Sequence, residues 1–297
     1  MDDRDSSWQN ALAPGTPLSD GAGETGVYVI RRWIGAGGMG AVCEVEVTDR
    51  ADGPHVAKFL LDDRYAPQFF HEAAWQSQGL PNVVPVLWSD FTVIPRLGRP
   101  VPVLIMPYYA HGNLYQMQHL GGYTVRAAVT WISEIAFALC HLPVVHRDIK
   151  PENILFNPDW HAELTDFGIS MPLDQDLRQA YGLANYGFMG TGPYMAPEQS
   201  LSGDKLDGTT DVYALGLVLY ETITRKPAYM DAGAPEIFQM QKLVNPNQFE
   251  DVQDQALRAI MLGCTHTAMA KRFKPMALFN ALQEYLVNAG TAADVRV

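Results

Sequence analysis

Val145-His146-Arg147-Asp148-Ile149-Lys150-Pro151-Glu152-Asn153-Ile154-Leu155 gathers a carboxylate, an ammonium and an amide into one short loop. Asp148 can accept a proton from an attacking hydroxyl, and Asn153, five residues on, can ligate a metal through its oxygen. Lys150 can balance negative charge that builds on a transferred group. A polar surface loop explains one or two of these residues but not the ordered set.

Downstream, Asp166-Phe167-Gly168 follows the strand-like Ala162 to Thr165. A carboxylate beside a flexible glycine suits a divalent cation that bridges phosphates, while Phe167 packs into the core beneath. Ala196-Pro197-Glu198 and Asp211-Val212-Tyr213-Ala214-Leu215-Gly216 come later, and their order matters more than either tripeptide alone. Upstream lies Ile34-Gly35-Ala36-Gly37-Gly38-Met39-Gly40-Ala41-Val42, a glycine run through which backbone can approach phosphates. A glycine-rich hairpin turn explains it equally well, and a dinucleotide fold would need a helix directly after the glycines, where a strand follows instead. Val56-Ala57-Lys58 places a lysine on an apolar strand, and Glu72 on the next helix can hold that lysine charged.

The patterns around these motifs predict strands at Val27–Ile34, Ala41–Val47, His55–Leu61, Phe91–Ile94 and Val101–Met106, with one helix at Pro67–Gln78. After Gly112 the spacing becomes helical: Thr124–Leu142, then Asp211–Thr224, apolar nearly all round and hence central, then Pro235–Val244, Gln253–Cys264 and Pro275–Val287. A small strand-rich lobe before a larger helical one is an α+β arrangement with a ligand cleft expected between them. Residues 1–25, rich in Asp, Ser, Gly, Ala and Pro, read as a mobile leader.

With 21 Lys and Arg against 33 Asp and Glu, the formal charge of −12 disfavours nucleic acid and suits a basic protein substrate. Cys43, Cys140 and Cys264 lack paired spacing for zinc or redox work, which fits a reducing cytosol. The start carries no signal-peptide pattern, and the apolar stretch Ala127–Val145 is interrupted by Glu134, His141 and Pro143, so no membrane span is expected and a cytoplasmic location is.

Taken together, the motifs resemble the eukaryotic-like (Hanks-type) protein kinase family over about Val27 to Leu286, and Gly190-Thr191-Gly192-Pro193-Tyr194-Met195 before Ala196-Pro197-Glu198 looks like its bacterial serine/threonine branch. The resemblance implies a bilobal fold with an N-lobe at 26–106, a hinge at 107–111, a C-lobe at 112–288 and a tail at 289–297. It implies ATP and Mg2+, with Asp148 as base, Lys150 and Lys58 (paired to Glu72) on the phosphates, and Asn153 and Asp166 on the metal. Ile34, Gly35, Gly37 and Gly40 would cover the nucleotide, and Val42, Ala57 and Leu155 would sandwich adenine. Met106 resembles the residue gating the pocket behind adenine, Pro107, Tyr108 and Tyr109 the hinge, and Asn113 stands where relatives place an acidic ribose contact. Arg272 looks like the buried partner of Glu198, and Thr191 is expected to contact Asp148 and Lys150.

The chain departs from the family pattern in two places. Lys58 and Glu72 are unusually close in sequence, so the connection into the helix must be abbreviated, and Gln76 stands where relatives place an apolar residue. Arg147 matches an arginine that commonly binds a phosphorylated residue, yet Ile169–Met189 offers only Ser170, Tyr181 and Tyr186 as hydroxyls, with Asp174 and Asp176 as fixed charges. The activity implied is transfer of the ATP γ-phosphate to protein Ser/Thr hydroxyls, the chain's own included, under a regulatory partner or as a dimer. An ATP-binding pseudokinase scaffold and a small-molecule kinase are the alternatives. The first must explain a complete catalytic set, the second the Ala-Pro-Glu segment.

Overall fold

Alternation of apolar and polar residues along Gly40–Val47 and His55–Leu60 builds a sheet with one dry face, and the computed structural model shows where that face points. It describes residues 8–19, 25–36, 40–48, 53–174, 176–177, 190–200, 206–229 and 249–297. Two units divide the chain: Met1–Gly79 with Val84–Tyr109, and Leu80–Val83 with Ala110–Val297.

In the first unit, strands β1 (Pro17–Ser19), β2 (Thr25–Ala36), β3 (Gly40–Val47), β4 (His55–Leu60), β5 (Trp88–Ile94) and β6 (Arg99–Pro107) form one sheet in the order β1-β2-β3-β4-β6-β5, antiparallel throughout. Ala41, Cys43 and Val45 of β3 and Ala57 and Phe59 of β4 enter a common core with Ile30, Val103 and Ile105. Helix α1 (Ala66–Gln76) starts with a proline in its first turn and follows a short 3-10 turn, Asp63–Tyr65, begun by the Asp62 carboxylate accepting from the Arg64 N–H. That turn is the abbreviated connection the Lys58–Glu72 spacing demands.

The supposed mobile leader is folded where it is described. Residues 8–11 are helical, and β1 pairs with β2. Ala11, Leu12 and Leu18 are buried in the sheet's core, Arg99 lies 5.8 Å over the Trp8 ring, and Arg96 donates to the Asn10 carbonyl. The apolar residues here are too sparse to show a period. Their burial comes from covering the free edge of β2, a tertiary demand that composition does not display.

The second unit holds α2 (Leu114–Leu120), α3 (Val125–His141), α4 (Gly208–Thr224), α5 (Gln255–Cys264) and α6 (Pro275–Asn288), with short strand pairs β7 (Val144–Val145) with β10 (Met171–Pro172) and β8 (Ile154–Phe156) with β9 (Ala162–Leu164). Thr124 caps α3 and Asp207 caps α4, each through its side-chain oxygen. Helix α4 is buried from Thr209 through Tyr220, as its all-round apolarity predicts, and a Cβ added at Gly216 would stand 2.4 Å from the Cys264 Cβ, so α4 and α5 touch backbone to side chain there. Cys264 is thus a packing residue.

Residues 80–83 belong to the second unit because Leu164 donates to the Asn82 carbonyl at 2.8 Å and Asn82 Nδ2 to the Ala162 carbonyl at 3.0 Å. The tail folds back on α3: Val125 donates to Val295, Val297 to Tyr123, and Arg126 holds Asp294 at 2.7 Å. The helix expected at Pro235–Val244 lies outside the described residues, as do Gly37, Tyr181 and Tyr186. Among the described residues no helix is long and apolar enough to cross a membrane.

Candidate active site

On β4, side chains alternate faces, so Lys58 shares its face with Val56 and opposes Ala57. Lys58 Nζ donates to both oxygens of Glu72, at 2.7 and 2.9 Å, with the glutamate side chain 1% exposed. Cross-strand pairing puts Val42 opposite Lys58 and Met106 opposite Val56. Ala57 is fully buried in the sheet's core beside Cys43 and Phe59. Ala57, expected to sandwich adenine, therefore lies on the strand face opposite Lys58, the face that Val56 shares.

Gly40 has a structural reason, since a Cβ there would sit 2.8 Å from the Phe59 carbonyl oxygen, whereas Gly35 faces open space and Ile34 is exposed. In the segment after Met106, the Tyr108 N–H donates to Pro54 at 3.2 Å and the Tyr108 hydroxyl accepts from Arg32 at 3.0 Å, so the adenine-facing role expected of Pro107, Tyr108 and Tyr109 does not extend to the Tyr108 N–H. Gln76 takes the buried position one turn after Glu72, donating to the Val84 carbonyl at 2.9 Å, with no hydrogen bond to its Oε1 among the described residues.

In the second unit, the loop after β7 is clamped from below. Buried Asp211 accepts from the His146 and Arg147 N–H groups at 2.8 and 2.9 Å. Burial pushes its carboxyl up to about 7, against the pull of those two donors. His146, also buried and so with its pKa lowered, meets the Thr165 carbonyl through Nε2 at 3.0 Å and accepts the Asp148 N–H on Nδ1, the pattern of a neutral ring protonated on Nε2. Its ring stands edge-on to Phe167, 4.6 Å between centroids.

The Asp148 carboxylate is held at both oxygens. One accepts from the Thr191 N–H at 3.0 Å and the Thr191 hydroxyl at 2.7 Å; the other accepts from Lys150 Nζ at 2.7 Å and Asn153 Nδ2 at 3.3 Å. Lys150 also donates to Thr191 Oγ1 at 3.0 Å, which closes a ring of three side chains. Asn153 Nδ2 is fixed further by the Asp148 carbonyl at 2.9 Å, which turns its Oδ1 away. Asp166 follows Thr165, whose N–H donates to the Asn153 carbonyl at 3.0 Å, and adopts a left-handed φ of 67°. An amide oxygen presented this way and a carboxylate are hard donors that fit a divalent cation sharing its shell with phosphates and water.

Two further expectations change. Asn113 is the N-cap of α2: its Oδ1 accepts from Gln116 N at 2.9 Å while Gln116 Oε1 accepts from Asn113 N at 3.0 Å. Its side-chain oxygen is engaged in capping. Leu155 pairs with Glu163 on β8 and bridges Asn113. Asp174 Oδ1 accepts from the Asp176 and Leu177 N–H groups, so that carboxylate serves a local turn, while Arg147 Nη1 reaches the Ile169 carbonyl at 3.5 Å. Ala57 is the residue that motif reading put on the wrong strand face, and strand alternation was the available signal.

The Lys58–Glu72 pair yields a prediction. Lys58→Met should depress phosphate-dependent activity and also destabilise the fold by about 3–5 kcal/mol, because a carboxylate that is 1% exposed loses its cation. Lys58→Met with Glu72→Leu should regain most of the melting temperature without regaining activity. Equal melting temperatures for Lys58→Met and wild type would show that Glu72 does not need its cation.

A family model described as "Protein kinase domain" matches residues 28–283. The chain is similar to serine/threonine-protein kinase PknH of Mycobacterium bovis, 36% identical over 214 residues, covering 69% of this chain and 34% of that one. It is similar to a probable serine/threonine-protein kinase of Corynebacterium efficiens at 32% over 216 residues, 68% of this chain and 31% of the relative. Serine/threonine-protein kinase AtPK2/AtPK19 of Arabidopsis thaliana is 29% identical over 213 residues, 68% of this chain and 42% of the relative. The match thus spans under half of each of these relatives.

Proposed function

The chain belongs to the protein kinase domain family, and on that premise we propose that it moves the γ-phosphate of ATP onto serine and threonine hydroxyls of proteins, with Mg2+ as the divalent cation. The observation that carries this reading is the Asp148 carboxylate held by Lys150, Asn153 and Thr191. A carboxylate fixed this way is oriented to take the proton of an acceptor hydroxyl as its oxygen bonds to the γ-phosphorus and the bond to the β-phosphate bridge breaks, releasing ADP. Lys150, bonded to both Asp148 and Thr191, would follow the charge moving onto the transferred group. Lys58, kept charged by Glu72, orients the α- and β-phosphates. When bound, Mg2+ neutralises phosphate charge, and Asn153 Oδ1 with the Asp166 carboxylate would hold it. The Lys150–Thr191 contact and the serine/threonine relatives support hydroxyls of Ser and Thr as acceptors.

Incubation with γ-labelled ATP and a generic basic protein tests the reading, with Asp148→Asn as control. Label on phosphoserine or phosphothreonine is the expected result. ATP binding without transfer would instead favour a scaffold. Asp166→Asn should raise the Mg2+ concentration for half-maximal rate by about tenfold, because an amide is a poorer ligand for a hard cation than a carboxylate. An identical metal titration would remove Asp166 from the metal.

A further inference from the structure

Gln199 follows Glu198 and played no part in the sequence reading, yet its amide is buried against the loop that carries Asp148. Its Nε2 donates to the Arg147 carbonyl at 2.9 Å, and its Oε1 accepts the Ala196 N–H at 2.8 Å. The Arg147 carbonyl belongs to the peptide that joins Arg147 to Asp148, and the N–H of that same peptide donates to His146 Nδ1 at 3.3 Å. One peptide plane is therefore held at both ends, by Gln199 on the oxygen and His146 on the nitrogen.

That plane needs holding. Arg147 is a non-glycine residue with a φ of 72°, a conformation that costs about 1–3 kcal/mol and persists only where surroundings enforce it. Asp211 fixes the N–H before the strained residue, and Gln199 fixes the carbonyl after it. Rotation of the Arg147–Asp148 peptide would swing the Asp148 side chain off Lys150 and Thr191. Gly190 belongs to the same device: its φ is 128°, and a Cβ there would stand 2.9 Å from the Arg147 oxygen and 3.2 Å from Gln199 Nε2. Only a glycine lets the start of the Gly190–Ala196 segment pass this close.

We infer that Gln199 is a positioning residue which couples the Gly190–Ala196 segment to the orientation of Asp148. The segment already reaches Asp148 directly through Thr191; Gln199 gives it a second route, through the backbone of the loop. Displacement of Ala196 would pull on the Arg147 carbonyl and so turn the base. This inference rests on the proposed kinase reading for its kinetic consequence, but the clamp itself is a geometric claim.

Gln199→Met keeps the side chain's length and removes both bonds, and Gln199→Glu keeps the acceptor for Ala196 while setting an oxygen against the Arg147 carbonyl. Both should lower kcat about tenfold, the scale of a base misplaced by a fraction of an ångström, with KM for ATP within about twofold of wild type. Amide hydrogen exchange at Asp148 should accelerate about tenfold in both, since its local opening becomes easier. Should the methionine variant not fold, the glutamate variant carries the same test. Wild-type kcat with wild-type exchange in either folded variant would overturn the clamp, as would a joint fall of kcat, ATP affinity and melting temperature, which marks general loosening. Exchange at Asp148 reads the clamp whether or not phosphate is transferred, so a wild-type chain without kinase activity would overturn the proposed function while exchange still decides the role of Gln199.

Discussion

Asp148→Asn should lower turnover by at least ~10²-fold, the scale of a lost positioned base. The geometry makes the loss double. Both carboxylate oxygens of Asp148 accept from donors, Thr191 on one side and Lys150 with Asn153 on the other. An amide has one acceptor oxygen, so whichever way it turns, its NH2 faces donors on one side. Basicity and orientation fail together. Stability should change little, because Asp148 and Lys150 retain 13% and 20% exposure and the lysine can turn to water. Turnover measured under saturating ATP, with circular dichroism to verify the fold, checks this. A folded variant with near wild-type turnover would remove Asp148 from the reaction.

What the sequence displayed and what it hid follow a physical divide. Asp148, Lys150, Asn153 and Asp166 were legible because their chemistry needs those side chains at fixed short spacing, and the structure brings the first three together around Asp148 with Thr191. The long elements were legible for a similar reason: α4 shows its burial as continuous apolarity, and β3 and β4 show theirs as alternation. Ala57 was misread because a motif lists residues in order while a strand sorts them by face, and that sorting puts Val56, not Ala57, beside Lys58. The capping role of Asn113 was not read because it lies in reciprocal side-chain-to-backbone bonds with Gln116, which the family position does not display. Residues 8–19 were missed because Leu12 and Leu18 are buried by a tertiary partner, with no period of their own. Gln199 was invisible since its role lies in two backbone groups, Arg147 O and Ala196 N–H, which no side-chain motif records.

Glu198→Ala should be the most destabilising single change at the Ala-Pro-Glu segment, through the cation it abandons. Arg272 has a fully buried side chain, and its Nη1 and Nη2 reach Glu198 Oε1 and Oε2 at 2.6 and 2.8 Å. Its remaining donors meet the His266, Thr209 and Thr267 carbonyls at 2.6, 3.1 and 3.2 Å, and the guanidinium lies 4.8 Å over the Tyr213 ring. Thr210 adds a bond to Glu198 Oε1 at 2.9 Å. Removing the carboxylate leaves those carbonyl dipoles and the ring face to support a whole charge, a loss of about 3–5 kcal/mol. In a domain of this size that is a melting temperature lower by roughly 6–15 °C. Glu198→Gln, which keeps an oxygen for one N–H, should fall between wild type and alanine. Removing both charges together, Glu198→Leu with Arg272→Met, should recover much of the loss, since the cost comes from the stranded cation and not from the missing contact. Thermal melts of the four proteins decide it: an unaltered melting temperature for Glu198→Ala, or a double variant less stable than that single change, would show that the buried pair does not hold this part of the fold.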